Sequence, residues 1–421
     1  LVMNLRKGVK FHDGTDFNAK AVKANFDRMM NPDLKTLRAS EISSVKEVTV
    51  VDDYTIKLSL KAPNASLLAT LSDRAGMMIS PAAIDKYGKD LARNPVGTGP
   101  FQFVEWVKDD HLTVKKFDGY WEKGTDGQPL PYLDQVIYKG IPDPTVRLTS
   151  LKTGTLDFID RPAPKDSTAL RAGKDLTYEE IPSLGYQAID LNNTTAPFDK
   201  VQVRQAMAYA IDSAAMTKNI LFDTATPGQG PIAPGSWAYD ASINIYKRDV
   251  NKAKDLLSQA GLTPPVKFSC MIVNTADSKL IGEALKEQLA EAGFEMDIQL
   301  LDFGTALAKE TAKDFTCFQI GWSGRPDPDG NIYSFFYSTG GNNFESYKNP
   351  QVDSLLDKAR TVYDQAQRKD LYTQAIKIGV TDVPRVYLWW PSDAKVWSPK
   401  AKGFVHVPDG LIRTKEMWIS P

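Results

Sequence analysis

Short apolar runs and helix-length amphipathic segments alternate along the second half of the chain. Strand-like runs lie at residues 266–273, 295–301 and 315–320, and helix-like segments lie between them at 278–292 and 305–312. Strands that alternate with helices of this length are typical of a parallel sheet with helices on its faces. The pattern therefore predicts an α/β fold for this part of the chain.

The first part of the chain mixes strand and helix periods. Residues 45–51 and 55–60 each alternate apolar and polar positions, and together they predict a β-hairpin. Residues 19–30 have the pattern of a helix that ends at Asn31-Pro32. A stretch rich in Pro and Gly at 94–101 then indicates a crossover between lobes.

The strongest local signal is a helix start near residue 200. Asp199 is expected to cap the helix together with Gln202, and Phe198 is expected to pack onto Val203. The apolar residues that follow lie on one stripe, which is typical of a core helix. Arg204, within this helix, is expected to form a structural ion pair rather than to contact a ligand.

Length and charge narrow the class of protein. The chain has 421 residues, which is more than one hydrophobic core usually supports, so two or three lobes are expected. Basic and acidic residues are almost balanced, 51 against 52, which argues against nucleic acid as a partner. Residues 1–10 lack the apolar core of a signal peptide, and the chain starts without methionine, so we expect a processed chain or a fragment.

The two cysteines, Cys270 and Cys317, are too few for a disulfide framework or a cysteine-based metal site. Both lie in apolar, strand-like runs. Two buried thiols are therefore expected, and a single disulfide is the alternative.

The loop at 321–331, Gly-Trp-Ser-Gly-Arg-Pro-Asp-Pro-Asp-Gly-Asn, is the main candidate for a binding site. It follows a strand, and open α/β sheets bind ligands at the carboxyl ends of their strands. It combines an aromatic face, small residues that let a ligand approach the backbone, and charge. The candidate ligand-binding residues of the loop are Trp322, Ser323, Gly324, Arg325 and Asp327. The alternative is a surface loop in which Arg325 pairs with Asp327 or Asp329.

Five residues elsewhere are further candidates for the wall of the cleft. They lie at a predicted crossover, at a strand end or on an aromatic position: Tyr186, Asn192, Asn274, Trp237 and Trp390. A role in the core is the alternative for each of them. Lys279, at a helix start, is an additional candidate cation.

An enzyme is the competing interpretation, because Asp327 and Asp329 form an Asp-x-Asp pair of the kind used by metal-dependent sugar-transferring or hydrolytic enzymes. A calcium loop beginning at Asp327 is excluded, since Ile332 and Ser338 occupy the positions that need Gly and Glu. The three histidines are scattered, with no nucleophile arrangement near them. Binding without catalysis, cofactor or metal is therefore expected.

Five stretches in order along the chain carry a resemblance to a known family. They are residues 5–14, 97–101, 192–206, 249–261 and the loop at 321–331. Together they resemble the extracytoplasmic solute-binding proteins of ABC importers, family 5, which includes dipeptide, oligopeptide, opine and nickel binders.

The resemblance implies a periplasmic-binding-protein-like fold of type II, with two lobes, a hinge and the extra α+β domain of cluster C. The implied division is 1–101 for the extra domain, 102–193 with 391–421 for lobe I, and 194–390 for lobe II. Crossovers near Pro100, Asn193 and Trp390 would form the hinge. The family's motif at 5–14 normally follows a segment that supplies a first strand and ligand contacts, so the N-terminal part of this architecture is expected to be missing.

The implied function is capture of a small polar solute and its delivery to membrane permease subunits. No phosphate-binding loop is present, so the ATPase is expected on a separate chain. A monomer is expected, in the periplasm or elsewhere outside the cytoplasm, with a membrane anchor as an option.

One departure from the family's pattern bears on the ligand. In peptide binders that this chain resembles, the position after Gly-Trp-Ser-Gly is commonly an aspartate that pairs with the peptide's amino group. Here the position is Arg325. An ammonium about 4 Å from a guanidinium is disfavoured by on the order of 4 kcal/mol at an effective dielectric constant of 20. An anionic solute, such as an opine-like or carboxylated compound, is therefore favoured, and a short peptide is the alternative.

Overall fold

The computed structural model describes residues 1–34, 36 and 38–421. In this part of the chain the strands form one large mixed sheet of eight strands and three smaller sheets. The smaller sheets come first and last in the sequence, and most of the large sheet comes from the second half.

A three-stranded antiparallel sheet with a helix on one face begins the fold. Its helices and strands are β1 (Val2–Asn4), α1 (Ala19–Met30), α2 (Arg38–Glu41), β2 (Val45–Asp52), β3 (Thr55–Leu60), α3 (Leu67–Leu71) and α4 (Pro81–Tyr87). The Asn18 side chain caps α1 by accepting a hydrogen bond from the backbone of Ala21. Phe26 of α1 is buried with Val48 and Leu58 of the hairpin, so the predicted helix and hairpin share one core.

The next segment contributes an antiparallel three-stranded sheet and a short mixed region. Its elements are β4 (Phe101–Val107), β5 (His111–Lys116), β6 (Gln135–Lys139), α5 (Pro144–Lys152), β7 (Phe158–Asp160), α6 (Ser167–Ala172) and β8 (Thr177–Pro182). The carboxylate of Asp143 caps α5 through two backbone N–H groups. Strands β7 and β8 do not pair with each other; both pair with the last long strand of the chain.

The large sheet has the strand order β10-β14-β9-β13-β11-β12, with β7 and β8 joined to β14. Its elements and their helices are β9 (Tyr186–Leu191), α7 (Val201–Ala210), α8 (Ser213–Asn219), β10 (Ala225–Pro227), α9 (Val250–Gln259), β11 (Val266–Val273), α10 (Ala276–Glu291), β12 (Phe294–Leu301), α11 (Phe303–Thr311), β13 (Cys317–Trp322), α12 (Asp329–Phe336), α13 (Pro350–Thr361), α14 (Gln365–Asp382) and β14 (Arg385–Trp397). Strands β11, β12 and β13 are parallel as predicted, whereas β9, β10 and β14 make the sheet mixed.

Strand β14 connects two groups of strands. Its first half pairs with β9 and β10, and its second half, from Ser392 on, pairs with β7 and β8. The predicted strand at 386–390 therefore continues well beyond Trp390. Strand β9 belongs to the large sheet with β13, although the sequence analysis placed it before the crossover near Asn193. The tail adds a two-stranded ribbon of β15 (Ala401–Lys402) and β16 (Trp418–Ile419).

Helix α7 begins at Val201, one residue later than a cap at Asp199 would place its first residue. Lys200 occupies the cap position, without a side-chain cap, so the prediction that Asp199 caps the helix is wrong. Phe198 and Val203 do belong to one buried cluster. Arg204 has the expected structural role, but through backbone carbonyls rather than an ion pair. Its guanidinium donates to the carbonyls of Phe198, Asp382 and Val383 at 2.8–3.1 Å.

Cys270 and Cys317 form a disulfide, so the prediction of two separate thiols is wrong. The two residues are direct neighbours on the parallel strands β11 and β13, with Cα atoms 4.4 Å apart. Sequence could not give this register, because the strands are 47 residues apart at these positions. The bridge lies in the buried core, at the first residue of β13.

Removing this disulfide is expected to lower the free energy of unfolding by about 3 kcal/mol, because it closes a long loop in the unfolded chain. The variant is Cys270→Ala/Cys317→Ala, compared with the oxidised protein by urea denaturation. Treating the unfolded protein with a reductant should produce the same loss in the native sequence and none in the variant. Equal stability of the two proteins would contradict the prediction.

Candidate functional site

The Trp322 loop, residues 322–328, leaves β13 and runs closely against the segment between β8 and β9. Gly324 has a φ of +80°, and a Cβ atom there would lie 2.2 Å from the carbonyl oxygen of Leu184. Only glycine therefore fits this position. The loop is held against Leu184 and Gly185, at the point where the chain passes from the first strands into the large sheet.

Asn331, in the first turn of α12, fixes the inside of the Trp322 loop. Its side-chain oxygen accepts from the Trp322 indole at 3.0 Å and from the Arg325 backbone N–H at 2.7 Å. Its amide nitrogen donates to the Arg325 carbonyl at 3.0 Å. The sequence analysis included Asn331 in the loop but did not identify this role, since nothing in the local pattern indicates which way an asparagine side chain turns.

Two arginines from later helices hold Asp327, in the Trp322 loop, and Asp329, the first residue of α12. Arg360 of α13 binds Asp329 with hydrogen bonds of 2.7 to 3.1 Å, and Arg368 of α14 binds Asp327 at 2.7 and 3.0 Å. Asp329 and Arg360 are buried. Because both carboxylates are in bidentate ion pairs, neither serves as a metal ligand or a catalytic group. The enzyme interpretation built on this Asp-x-Asp pair is therefore not retained.

Arg325 pairs with Asp73, which follows α3 in the first group of elements (β1–β3 with α1–α4, called the first domain), and not with Asp327 or Asp329 as the alternative interpretation expected. Its guanidinium lies 4.4 Å from the centre of the Trp322 ring and donates Nη1 to the Gly324 carbonyl at 2.6 Å. Nη2 is buried and has no acceptor among the described residues. Burial lowers the pKa of Arg325, and Asp73 opposes this shift. Arg325 thus keeps one donor uncommitted.

A cavity of about 50 Å³, open to solvent, lies between the first domain and the Trp322 loop. Its lining includes an aromatic face and both signs of charge, from Glu41, Thr70, Asp73, Trp322, Arg325 and Asn342. Burial raises the pKa of Glu41, and its ion-pair partner Arg38 lowers it. The sequence analysis found the loop side of this cavity and missed the side from the first domain.

Tyr186 and Trp390, both candidates for the wall, lie in the core. Tyr186 is 1% exposed, and its hydroxyl accepts from Arg385 at 2.7 Å. Trp390 is 3% exposed, and its indole donates to the Gly230 carbonyl at 2.9 Å. Neither side chain lines the cavity beside Arg325.

Asn192 lies at the opposite end of the sheet from Trp322. Because β9 and β13 are antiparallel, Trp322 is opposite Tyr186, whereas the Asn192 backbone bonds to Thr316 at the other end of β13. The Asn192 side chain is buried and donates to the carbonyls of Lys313 and Phe315. Six residues along the strand, about 20 Å, separate the two levels, so Asn192 lies away from the Trp322 loop.

The remaining candidates lie near the same edge of the sheet but outside the cavity. Asn274 is exposed at the carboxyl end of β11, and Lys279 is exposed on α10. Trp237 is half-buried, with its ring centre 5.3 Å from the guanidinium carbon of Arg368 and 6.4 Å from the ring centre of Tyr372. Trp237 is therefore near the supporting arginine of the loop, and none of the three lines the cavity beside Arg325.

The family model of bacterial extracellular solute-binding proteins, family 5 (middle), matches residues 1–344. The chain belongs to this family. Family 5 members act as binding subunits, and the protein is accordingly the substrate-binding subunit of an ABC importer, which works with a membrane permease and is not an enzyme.

Relatives with assigned ligands support the same family over nearly the whole chain. The chain is 34% identical to a glutathione-binding protein GsiB of Pectobacterium atrosepticum, covering 97% of this chain and 80% of the relative. It is 36% identical to the GsiB of Salmonella choleraesuis, with the same two coverages.

Solved structures confirm the predicted periplasmic-binding-protein fold. The binding protein AgaA from A. tumefaciens R10, in complex with agropinic acid, has a TM-score of 0.91 and 28% identity, covering 100% of this chain and 87% of that chain. DppA from Helicobacter pylori, in complex with the peptide STSA, also has a TM-score of 0.91 and 28% identity, covering 99% and 86%.

Two further observations on this family 5 protein concern membrane-spanning helices and metal sites. Within residues 1–34, 36 and 38–421, none of the helices combines the length and the apolar character needed to cross a membrane. The same residues contain no group of three or more His, Cys, Asp or Glu side chains placed to bind a metal ion.

Proposed function

We propose that the protein captures a short peptide with a net negative charge, of the glutathione type, and delivers it to its permease. The observation that carries the proposal is the buried Nη2 of Arg325, which borders the cavity and has no acceptor among the described residues. A ligand carboxylate at this point would supply the missing acceptor, and a guanidinium binds carboxylates strongly.

The charges around Arg325 are consistent with one carboxylate rather than several. Asp73 already offsets part of the arginine's charge. Gly324 and Ser323 occupy Nη1, at 2.6 and 3.2 Å, so a ligand is left with a single edge of the guanidinium. The Trp322 face beside it provides an apolar surface for the body of the ligand.

The names of the relatives favour a peptide over an opine. Two relatives at 34% and 36% identity are glutathione-binding proteins, and glutathione is a tripeptide with two carboxylates and one ammonium group. The complex of AgaA with agropinic acid, at 28% identity, favours an opine-like anion as the second candidate. Both candidates present a carboxylate to Arg325.

We also propose that the two ligand-closing lobes divide at residues 183–185 and at Pro391. Strand β9 pairs inside the large sheet, and β14 changes partners at Pro391. Residues 1–101 would be the extra domain, and the protein would act as a periplasmic monomer. Small-angle scattering with and without ligand would test this division, since closure should reduce the radius of gyration of a monomer.

The ligand can be identified by native mass spectrometry of the gently purified protein, followed by calorimetric titration with glutathione and with a neutral, amidated tripeptide. We expect glutathione to bind, and Arg325→Ala to weaken its binding about 10- to 100-fold, the loss of one charge-assisted contact. Arg413→Ala, which removes an exposed arginine of the tail, is the matched control. Tight binding of the amidated tripeptide, unchanged in Arg325→Ala, would contradict the proposal. A retained opine-like mass would replace the peptide with the second candidate.

A further inference from the structure

Three buried carboxyl groups surround one arginine where β9 and β14 pair. Arg385 of β14 lies opposite Asp190 of β9 and is itself 3% exposed. Glu310 comes from the end of α11 and Glu345 from the segment before α13, each 1% exposed. Four separate parts of the chain thus contribute charge to one point in the core.

The donors at this point are too few for three ionised carboxylates. Arg385 donates Nη1 to the Tyr186 hydroxyl and Nη2 to Glu345, and it lies 3.2 Å from Asp190. One oxygen on each of the three acids has no donor among the described residues: Asp190 Oδ1, Glu310 Oε1 and Glu345 Oε2. With one cation for three carboxyl groups, full ionisation would leave a net charge of about −2 in the core, which is strongly unfavourable.

The acids face one another closely enough to share protons. Asp190 and Glu345 both contact the same guanidinium nitrogen, Nη2 of Arg385, so their carboxyls lie side by side. A hydrogen bond between two carboxyls requires a proton on one of them. The Tyr387 hydroxyl is also buried there, with no hydrogen-bond partner in the part of the chain that the structure describes. A cavity of about 30 Å³ borders Arg385 and Tyr387.

Burial sets the direction of the pKa shifts, and Arg385 opposes it. Burial raises the pKa of Asp190 and of Glu310 to about 7. It raises the pKa of Glu345 to about 8, although the Arg385 charge lowers it. The cluster therefore holds protons near neutral pH that ordinary surface carboxyls have already lost.

This cluster is connected to the Trp322 loop by direct packing. The Arg385 guanidinium carbon lies 4.8 Å from the centre of the Phe335 ring, and that centre lies 5.0 Å from the centre of the Trp322 ring. The Glu345 carbonyl accepts from the Asn193 N–H at 2.9 Å, which ties the cluster to the end of β9. Movement of Arg385 would therefore reach the ligand loop through a single aromatic ring.

We propose that Asp190, Glu310 and Glu345 form a proton-sharing cluster that holds Arg385 and, through Phe335, the Trp322 loop in place, and that this support is lost when the cluster releases its protons in alkaline solution. The inference does not depend on which solute the protein binds. It makes the position of Trp322 sensitive to pH.

Unfolding equilibria between pH 5 and pH 9 test the proton sharing. The folded cluster binds protons that unfolded carboxyls, with pKa values near 4, release, so stability should fall as pH rises from about 5 through about 8. Each retained proton should raise the unfolding equilibrium constant by up to about tenfold per pH unit. Glu310→Gln should reduce this dependence by one proton. Glu295→Gln, which alters an exposed carboxyl on β12, should leave the dependence unchanged. Equal pH dependence in Glu310→Gln and the native protein would overturn the proposal.

Two direct measurements cover the case in which Glu310→Gln does not fold. Carbon NMR of the side-chain carboxyls in the native sequence should reveal at least two groups titrating between about pH 6 and pH 9, and titration of every carboxyl near pH 4 would overturn the proton sharing. The difference in fluorescence between the native protein and Trp322→Phe should change over the same pH range. A constant difference would overturn the connection to the Trp322 loop.

Discussion

Replacing Arg360 with alanine is expected to lower the free energy of unfolding by about 3 to 5 kcal/mol. The substitution leaves the Asp329 carboxylate 3% exposed with no counter-charge, since Arg360 supplies its bidentate partner. Urea denaturation at neutral pH measures the loss.

An exposed ion pair provides the control. Lys23→Ala removes a surface pair between Lys23 and Asp27 of α1 and should cost less than about 1 kcal/mol. A double variant, Asp329→Leu/Arg360→Met, should recover most of the stability lost in Arg360→Ala, because it removes both buried charges. If Arg360→Ala cost no more than Lys23→Ala, the ion pair would not be what holds the Trp322 loop.

Local sequence patterns predicted many of the helices and strands. The helix predicted at 19–30 and the hairpin at 45–51 and 55–60 match α1, β2 and β3 within about one residue. These elements are determined by neighbours in sequence: an apolar stripe, a cap such as Asn18, and a Pro after the last turn. The loop after β13 was predicted for the same reason, since a strand that ends in Gly and Pro residues is visible locally.

The contacts of that loop were not predictable, because they join residues that are distant in sequence. Asp73 precedes its partner Arg325 by 252 positions, and no local feature of either residue indicates the other. The position of the candidate Asn192, away from the Trp322 loop, was not predictable for a related reason. Its level in the sheet depends on whether β9 runs parallel or antiparallel to β13, and alternation alone does not determine strand direction.

Composition alone could not predict whether the two cysteines form a disulfide. Two cysteines in apolar strands are compatible with separate thiols or with a bridge, and the difference is decided by whether the strands are neighbours in register. The resemblance to family 5 also predicted more of the overall fold than the apolar periodicity did. The mixed sheet, with β14 serving two groups of strands, would not follow from strands that alternate with helices.

Reversing the charge at Arg325, in Arg325→Asp, is expected to weaken binding of glutathione by on the order of a thousandfold. Removing the arginine accounts for the roughly 10- to 100-fold loss expected of Arg325→Ala. The shorter aspartate, about 8 Å from the ligand carboxylate, would add a repulsion of roughly 2 kcal/mol at an effective dielectric constant of 20, and each 1.4 kcal/mol is about tenfold in the dissociation constant. The new carboxylate would also face Asp73, which pairs with Arg325 in the native protein. Isothermal titration of the native protein and the variant measures the change.

A charge swap separates the effect on the ligand from the effect on the fold. Asp73→Arg/Arg325→Asp places the same two charges in the opposite order, so the ion pair between the first domain and the Trp322 loop is kept. We expect its thermal stability to return towards that of the native protein, whereas glutathione binding should stay weak because the positive charge no longer lies on the Trp322 face. Recovery of both properties would mean that Arg325 matters only for its ion pair with Asp73. Full binding in Arg325→Asp itself would exclude a contact between this residue and the ligand, and would leave the anionic preference to another part of the cavity.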